Sequence, residues 1–169
     1  MDAARVETRI SLVLYGGVSL AVYISGSCQE LLSLVRATAD PDKVPDDQLT
    51  RPERIYRALA RTAGPGDTPL RVTVDVLSGS SAGGLNAVFL AKALSRGGDL
   101  AALTEIWRKD ADFLRLLNEE AESPRSLLSG DLFYELLLGA RDGMPENASR
   151  TDGLVPAVDC YLTTTDLRG

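Results

Sequence analysis

The sequence contains no histidine among its 169 residues. A Ser-His-Asp triad therefore cannot be assembled from this chain, and metal sites built on imidazole are excluded as well. Cysteine is limited to Cys28 and Cys160, with no Cys-x-x-Cys pair to replace histidine as a metal ligand. We predict two reduced, buried thiols. A serine nucleophile here would need as its base a carboxylate, a lysine or a group outside these residues.

Positive charge is also in short supply. The chain has 18 Lys and Arg against 24 Asp and Glu, a net charge of −6, and no cluster of basic residues. This balance argues against binding to nucleic acid. A hydrophobic content of 44% with 25% charged residues is typical of a globular protein, and the length suits one domain spanning residues 1–169.

Long hydrophobic runs are few, and the most extended one imitates a secretory leader. Arg5 and Arg9 precede a mostly apolar stretch over residues 10–24. Gly16-Gly17 interrupts this stretch, acidic residues precede it, and it continues into an amphipathic helix. It is also short for a membrane span. We therefore interpret it as strand, turn and helix, and expect a cytoplasmic protein that is at most peripheral to a membrane.

The most informative segment is residues 72–91. Alternating valines over 72–77 predict a β-strand, and the apolar run 85–94 predicts a buried helix. Between them lies Gly79-Ser80-Ser81-Ala82-Gly83, a G-x-S-x-G pattern in strand–turn–helix context. Such a sharp turn predicts a strained Ser81 with positive φ, and it requires glycine at 79 and 83 for steric reasons. The simpler alternative is an ordinary Gly/Ser turn.

A second glycine turn lies upstream. Residues 10–14 predict a core strand, Tyr15-Gly16-Gly17 breaks it, and a helix follows from about Ser19. The turn either directs backbone N–H groups toward an anion or only eases a tight corner. A right-handed crossover would make strands 10–14 and 72–77 parallel, which places both glycine turns at the same edge of the sheet.

The remaining segments predict further helices and one strand. Thr50 and Glu53 form a capping box at the start of a helix. Trp107 is interpreted as a core anchor, with contact to a ligand as the alternative, and the apolar faces of the later helices as core or the lining of an acyl channel. The predicted elements are a helix packing Ile55, Tyr56 and Leu59 inward, helices over 100–117 and 131–138 (the latter with Leu132, Phe133, Leu136 and Leu137 inward), a loop over 141–153 and a strand over 158–165.

Three of these places resemble the patatin-like phospholipase family, and most closely its bacterial patatin-related branch. They are Leu-Val-Leu-Tyr-Gly16-Gly17 with Gly26 after the turn, Gly79-Ser-Ser81-Ala-Gly83-Gly-Leu-Asn-Ala, and Leu162-Thr-Thr-Thr-Asp-Leu-Arg-Gly169. The resemblance implies an α/β, three-layer patatin-like fold with a mostly parallel central sheet that is incomplete in this chain. Residues 1–169 would then be the N-terminal portion of a single hydrolase domain.

The resemblance also implies roles for particular residues. Ser81 matches the family nucleophile, with Gly79 and Gly83 forming the nucleophile elbow. Gly16, Gly17 and Val18 occupy the turn whose amides form the oxyanion hole. Val18 replaces a usual third glycine, but a backbone N–H survives that change. The implied enzyme is a serine esterase or phospholipase that needs no metal or organic cofactor, takes a lipid or acyl-ester substrate, and contacts the membrane periphery.

The base of the implied Ser-Asp dyad is not evident. The family places it in an Asp-Gly-Ala or Asp-Gly-Gly motif, whereas this sequence offers only Asp142-Gly143-Met144 and Asp152-Gly153-Leu154. We interpret both as turn aspartates, with Asp152 as the fallback base. We therefore expect the aspartate to lie beyond residue 169, and this chain alone to be weakly active or inactive.

Two other functions remain open. One is an inactive ligand-binding or regulatory module that holds an anionic lipid head group with its glycine turns. The other is a nucleotide-binding α/β domain, suggested by Gly16-Gly17 after a strand. The missing third glycine and the lack of an acidic residue after the next strand disfavour nucleotide binding.

Overall fold

A computed structural model describes residues 5–110, 116–118, 126–144 and 153–165 of the chain. Strands and helices alternate along most of this length, as expected of an α/β protein. The elements are β1 (Val6–Leu14), α1 (Ala21–Thr38), α2 (Arg51–Ala60), β2 (Leu70–Ser80), α3 (Ser81–Arg96), α4 (Ala101–Glu105), α5 (Gly130–Gly143) and β3 (Asp159–Thr163). A short 3₁₀ turn, Val18–Leu20, leads into α1, and a π-helical turn, Ile106–Asp110, follows α4.

The three strands form one parallel sheet in the order β1-β2-β3. The pairing runs from Val6 opposite Leu70 to Leu14 opposite Gly79, with one register shift after Ile10. On the other side of β2, Ser80 lies opposite Thr163. The carboxyl ends of all three strands therefore meet at one edge. The predicted α/β class, with a parallel sheet flanked by helices, is confirmed, and the first two predicted strands lie within longer ones.

The core forms where α1 and α3 pack on the sheet. Val74 and Leu77 of β2, and Leu90 and Leu94 of α3, are completely buried. Burying side chains of this size contributes about 1.5–3 kcal/mol each, so this layer dominates the stability of the described fold. The prediction of a buried helix after the G-x-S-x-G turn is confirmed.

Helix α2 differs from its predicted packing. The capping box is confirmed, because the Thr50 N–H donates to Glu53 and the Glu53 N–H donates to the Thr50 hydroxyl. However, Ile55 and Leu59 are 55% and 64% exposed, so the predicted inward apolar face is wrong. The helix instead turns Glu53 and Arg57 toward the protein.

Buried Arg57 holds the loop between α1 and α2. Its guanidinium donates to the carbonyl oxygens of Ala37 and Val44, each at 2.8 Å, and to the carboxylate of Asp46 at 2.6 Å. The Arg57 hydrogen bond holds the pKa of Asp46 below its usual value. A rigid fork of donors can satisfy several loop carbonyls that an apolar side chain would leave without partners. The hydrogen bonds of Arg57 to the loop, and not burial of the apolar side chains, therefore set the orientation of α2.

Later helices also depart from expectation. The predicted helix over 100–117 is α4 followed by the π-helical turn, and residues 111–115 lie outside the described part. Helix α5 begins at Gly130, capped by Ser129, whose hydroxyl accepts from the Leu132 N–H. It continues to Gly143, so the loop predicted to start at residue 141 was placed too early. Leu132, expected to face inward, is 37% exposed.

The two thiols have different environments. Both are free, but only Cys28 is buried; Cys160 is exposed on β3, so the prediction of two buried thiols is wrong for the second. Burial raises the pKa of the Cys28 thiol to about 11. Its reactive thiolate form is therefore scarce at neutral pH.

The burial of Arg57 and the exposure of Ile55 on α2 predict different effects of the two side chains on stability. Arg57→Ala should lower the free energy of unfolding by about 2–4 kcal/mol, because several buried acceptors lose their donor. Ile55→Ala, on the same helix, should change it by less than about 0.5 kcal/mol. Urea unfolding of the two variants measures both effects, and a larger loss for Ile55→Ala would contradict the described packing.

Titration with a thiol-reactive dye tests the cysteine environments. In the native protein Cys160 should react at neutral pH and Cys28 should not, whereas both should react in denaturant. Cys160→Ser should remove the native reaction. Native labelling that persists in that variant would show that Cys28 is accessible.

Candidate active site

The turn between β2 and α3 presents Ser81. Strand β2 ends at Ser80 and α3 begins at Ser81, whose φ is 49°. Positive φ in a non-glycine residue costs on the order of 1–3 kcal/mol and persists only where the surroundings enforce it. The predicted strained backbone is therefore present. Ser81 is exposed and lies at the helix N-terminus, where the dipole favours developing negative charge.

Two glycines make this turn sterically possible. A methyl group built on Gly79 would lie 2.7 Å from the Gly83 carbonyl carbon and oxygen. One built on Gly83 would lie 2.1 Å from the carbonyl oxygen of Leu14, at the end of β1. The steric requirement for glycine at both positions is thus confirmed. The contact partner of Gly83 was not foreseen, because it belongs to a neighbouring strand.

The upstream glycine corner lies directly against the serine turn. A methyl group on Gly16 would lie 2.6 Å from the Cβ of Ser81 and 2.7 Å from the carbonyl oxygen of Ser80. The Gly16 N–H donates to the Ser80 hydroxyl at 3.2 Å. The structure therefore brings together the two turns that the sequence separates by more than sixty residues.

The hydrogen bond from Gly16 to Ser80 bears on which backbone amides are available as the predicted oxyanion donors. Because the Gly16 N–H is bonded to Ser80, it does not face an incoming ligand in this structure. The next amides belong to Gly17, with φ of 144°, and to Val18, the first residue of the 3₁₀ turn. A φ of this size favours glycine at position 17. The oxyanion-hole role of all three residues stays a prediction.

Ser81 opens onto a cavity of about 540 Å³. This volume is within the range of small-molecule sites. Most of the lining is apolar, and none of the described lining residues is acidic. The lining consists of Ser81, Ala82, Gly84, Leu85, Val88, Trp107, Leu116, Leu128, Ser129, Gly130, Phe133, Leu162, Thr163 and Thr164.

Sequence reasoning missed part of this lining. Trp107 was interpreted as a core anchor with ligand contact as the alternative; it is buried, at 9% exposure, and it also lines the cavity. Thr163 and Thr164 follow from the parallel pairing of β3, which places Thr163 opposite Ser80. An alignment of β3 against β2 could have located the threonines, whereas the position of Trp107 depends on tertiary packing.

Of the two aspartates that the sequence offered as bases, the structure describes only Asp142, and it does not bring this residue to Ser81. Asp142 lies in the last turn of α5 and pairs with the neighbouring Arg141 at 2.8 Å, so its interpretation as a turn aspartate is wrong in detail. It does not line the cavity that contains Ser81. The fallback base, Asp152, lies outside the described residues.

The contact of Gly83 with β1 can be tested by substitution. Gly83→Ala should destabilise the protein by at least about 3 kcal/mol, because the new methyl group meets backbone that cannot rotate away. Gly26→Ala is the matched control: Gly26 lies within α1 with open space around it, so alanine should stabilise by about 0.5–1 kcal/mol. Equal effects in urea unfolding would contradict the close approach of α3 to β1.

Comparison with known proteins gives a consistent result. The family model described as patatin-like phospholipase matches residues 12–166. The chain is also 30% identical over 178 aligned residues to a Mycobacterium tuberculosis protein named "Uncharacterized membrane protein Rv3479". That alignment covers 96% of this chain but only 16% of the relative's length.

No solved structure gives a significant match to the chain. Within the described residues, every helix is too short or too polar to cross a bilayer. The family match spans both glycine turns, the cavity lining and nearly the whole sequence. On that basis the chain belongs to the patatin-like phospholipase family.

Proposed function

We propose that this protein is a serine acyl hydrolase that cleaves lipid acyl esters with Ser81 as its nucleophile. Family membership supports lipid acyl hydrolysis in general. The observation that carries the assignment to Ser81 is its strained position at an apolar cavity, in contact with the Gly16 corner. A nucleophile, nearby backbone amides and room for an acyl group are the parts that acyl transfer needs.

The reaction divides into two steps. The Ser81 oxygen attacks the ester carbonyl, its proton passes to a carboxylate base, and the alcohol leaves after receiving that proton. The amides of Gly17 and Val18 hold the oxyanion, a contribution of about 3–4 kcal/mol per donor in comparable sites. Water, deprotonated by the same base, then attacks the acyl-enzyme and releases the fatty acid. This scheme uses no metal or organic cofactor.

We place the base of the dyad outside the described residues. The absence of histidine supports a carboxylate partner, and the described cavity lining contains none. Since the chain spans 16% of the length of the relative it matches, the activity of a whole protein of that size is part of this proposal. A serine without its base loses most of its nucleophilicity, so the described residues alone should be weakly active or inactive.

Contact with a membrane surface is a further part of the proposal. Apolar side chains are exposed on both sides of Ser81: Tyr15 and Leu20 near the glycine corner, and Leu128 and Leu162 at the cavity. Such side chains can insert at a lipid interface. The net charge of −6 favours a neutral or zwitterionic surface over an anionic one.

Fluorophosphonate labelling tests the nucleophile. The complete protein should take up one probe per chain, and Ser81→Ala should abolish labelling. Ser95→Ala, an exposed serine near the other end of α3, is the matched control and should label like the wild type. Mass spectrometry of the labelled peptide identifies the modified residue.

The labelling result also distinguishes the hydrolase from the alternative function, a ligand-binding or regulatory module. If the complete protein does not label but binds a phosphate-containing head-group analogue, then it is a ligand-binding module and the hydrolase proposal is wrong. Labelling at a serine other than Ser81 would contradict the assignment of the nucleophile.

A further inference from the structure

Trp107 has an unusual position in the cavity. It is the single tryptophan of the chain and lies in the π-helical turn Ile106–Asp110 that follows α4. Its side chain is 9% exposed, yet it lines the same cavity as Ser81. π-Helical turns are rare and occur frequently at functional sites, because the extra residue redirects side chains.

Among the described residues, the indole is held by packing against a second aromatic ring. The ring lies against Phe133 of α5, with ring centres 5.8 Å apart and planes tilted by 46°. The indole N–H is buried, and no other described residue accepts a hydrogen bond from it. A buried donor that finds no acceptor among its described neighbours loses its hydration without compensation, so hydrogen bonding does not explain this position of the ring.

The exposure of the lining residues shows which side of the cavity is closed. Val88, Leu128 and Leu162 are 41%, 36% and 47% exposed, and Ser81 is exposed as well. Apart from Ala82 and Gly84, which follow Ser81 in the chain, the buried lining residues are Trp107 and Leu116, at 9% and 8% exposure. The cavity therefore opens beside Ser81 and closes against Trp107 and Leu116.

From this arrangement we propose that Trp107, supported by Phe133, is the end wall that limits the length of the acyl chain bound next to Ser81. The selectivity for chain length in hydrolysis rests on the proposed function, but the binding of an acyl chain in the cavity does not. Trp107 is then a specificity-determining residue, and it reports on occupancy because its fluorescence changes with the polarity around the ring.

We expect the affinity for fatty acids to rise with chain length and then to stop rising. Each added methylene that enters the apolar cavity should increase affinity about fourfold, which corresponds to about 0.8 kcal/mol. Once the chain reaches the indole, further methylenes stay in water or force the packed rings apart, so affinity stops rising. Trp107→Ala removes the largest side chain of the wall and should move that limit by about three methylene groups.

Titration of the purified protein with saturated fatty acids, from hexanoate to palmitate, measures the binding limit. Trp107 emission should shift to shorter wavelength as the chain enters the cavity, with affinity rising stepwise and then levelling off. The absence of any emission change across the series, under conditions where a fluorescent fatty acid binds, would overturn the proposal.

Variants locate the limit at Trp107. Displacement of a fluorescent fatty acid should show a longer limit in Trp107→Ala and an unchanged limit in Trp107→Phe, which keeps a ring against Phe133. Tyr134→Ala is the matched control, because Tyr134 follows Phe133 on α5, is 60% exposed and does not line the cavity. If Trp107→Ala does not fold by circular dichroism, Phe133→Leu provides the test and should lengthen the limit to a smaller extent. A limit that moves in neither variant would overturn the proposal.

The experiments distinguish the Trp107 wall from hydrolysis by Ser81, because each can fail while the other holds. Fatty acids that bind with a Trp107-dependent limit, without Ser81 labelling or ester cleavage, would leave the wall in place and refute the hydrolase. Ester cleavage by Ser81 with the same chain-length profile in wild type and Trp107→Ala would support the hydrolase and refute the wall.

Discussion

The close approach of the first turn of α3 to the end of β1 is the contact on which the candidate site depends. Backbone meets backbone there, because a methyl group at Gly83 would lie 2.1 Å from the Leu14 carbonyl oxygen. Parallel pairing brings the ends of β1 and β2 to one edge, and this contact then fixes the distance between the two glycine turns. Gly16 touches Ser81 as a consequence. A looser approach would separate the serine from the amides proposed to serve it.

The strained backbone of Ser81 is maintained because the layer formed by α3 and the sheet is rigid. A positive φ at this residue costs on the order of 1–3 kcal/mol, whereas each fully buried leucine in α3 contributes about 1.5–3 kcal/mol. Interiors packed to native density transmit strain and do not relax it easily. The helix therefore holds the serine in its exposed position. The cavity beside it is completed by the π-helical turn and α5, which are distant in sequence from the elbow.

Local signals were enough to predict the elements that build the edge of the sheet. Glycine sterics, strand periodicity and the capping box at Thr50 each operate within a few residues, and each is present in the structure. Features decided by distant contacts were not predicted. The apolar pattern of α2 placed Ile55 inside, but the carbonyls of the preceding loop draw Arg57 inward. Cys160 is exposed, as are all five residues of β3. Trp107 reaches the cavity through a turn that sequence periodicity does not reveal.

In the proposed mechanism, one alcohol and two backbone amides act on the same carbonyl. A crystal structure of the complete protein reacted with a long-chain alkyl fluorophosphonate would show this arrangement. We expect phosphorus bonded to the Ser81 oxygen, a phosphoryl oxygen about 3 Å from the Gly17 and Val18 nitrogens, and the alkyl chain in the apolar cavity. An adduct on another residue, or a phosphoryl oxygen directed away from the glycine corner, would contradict it.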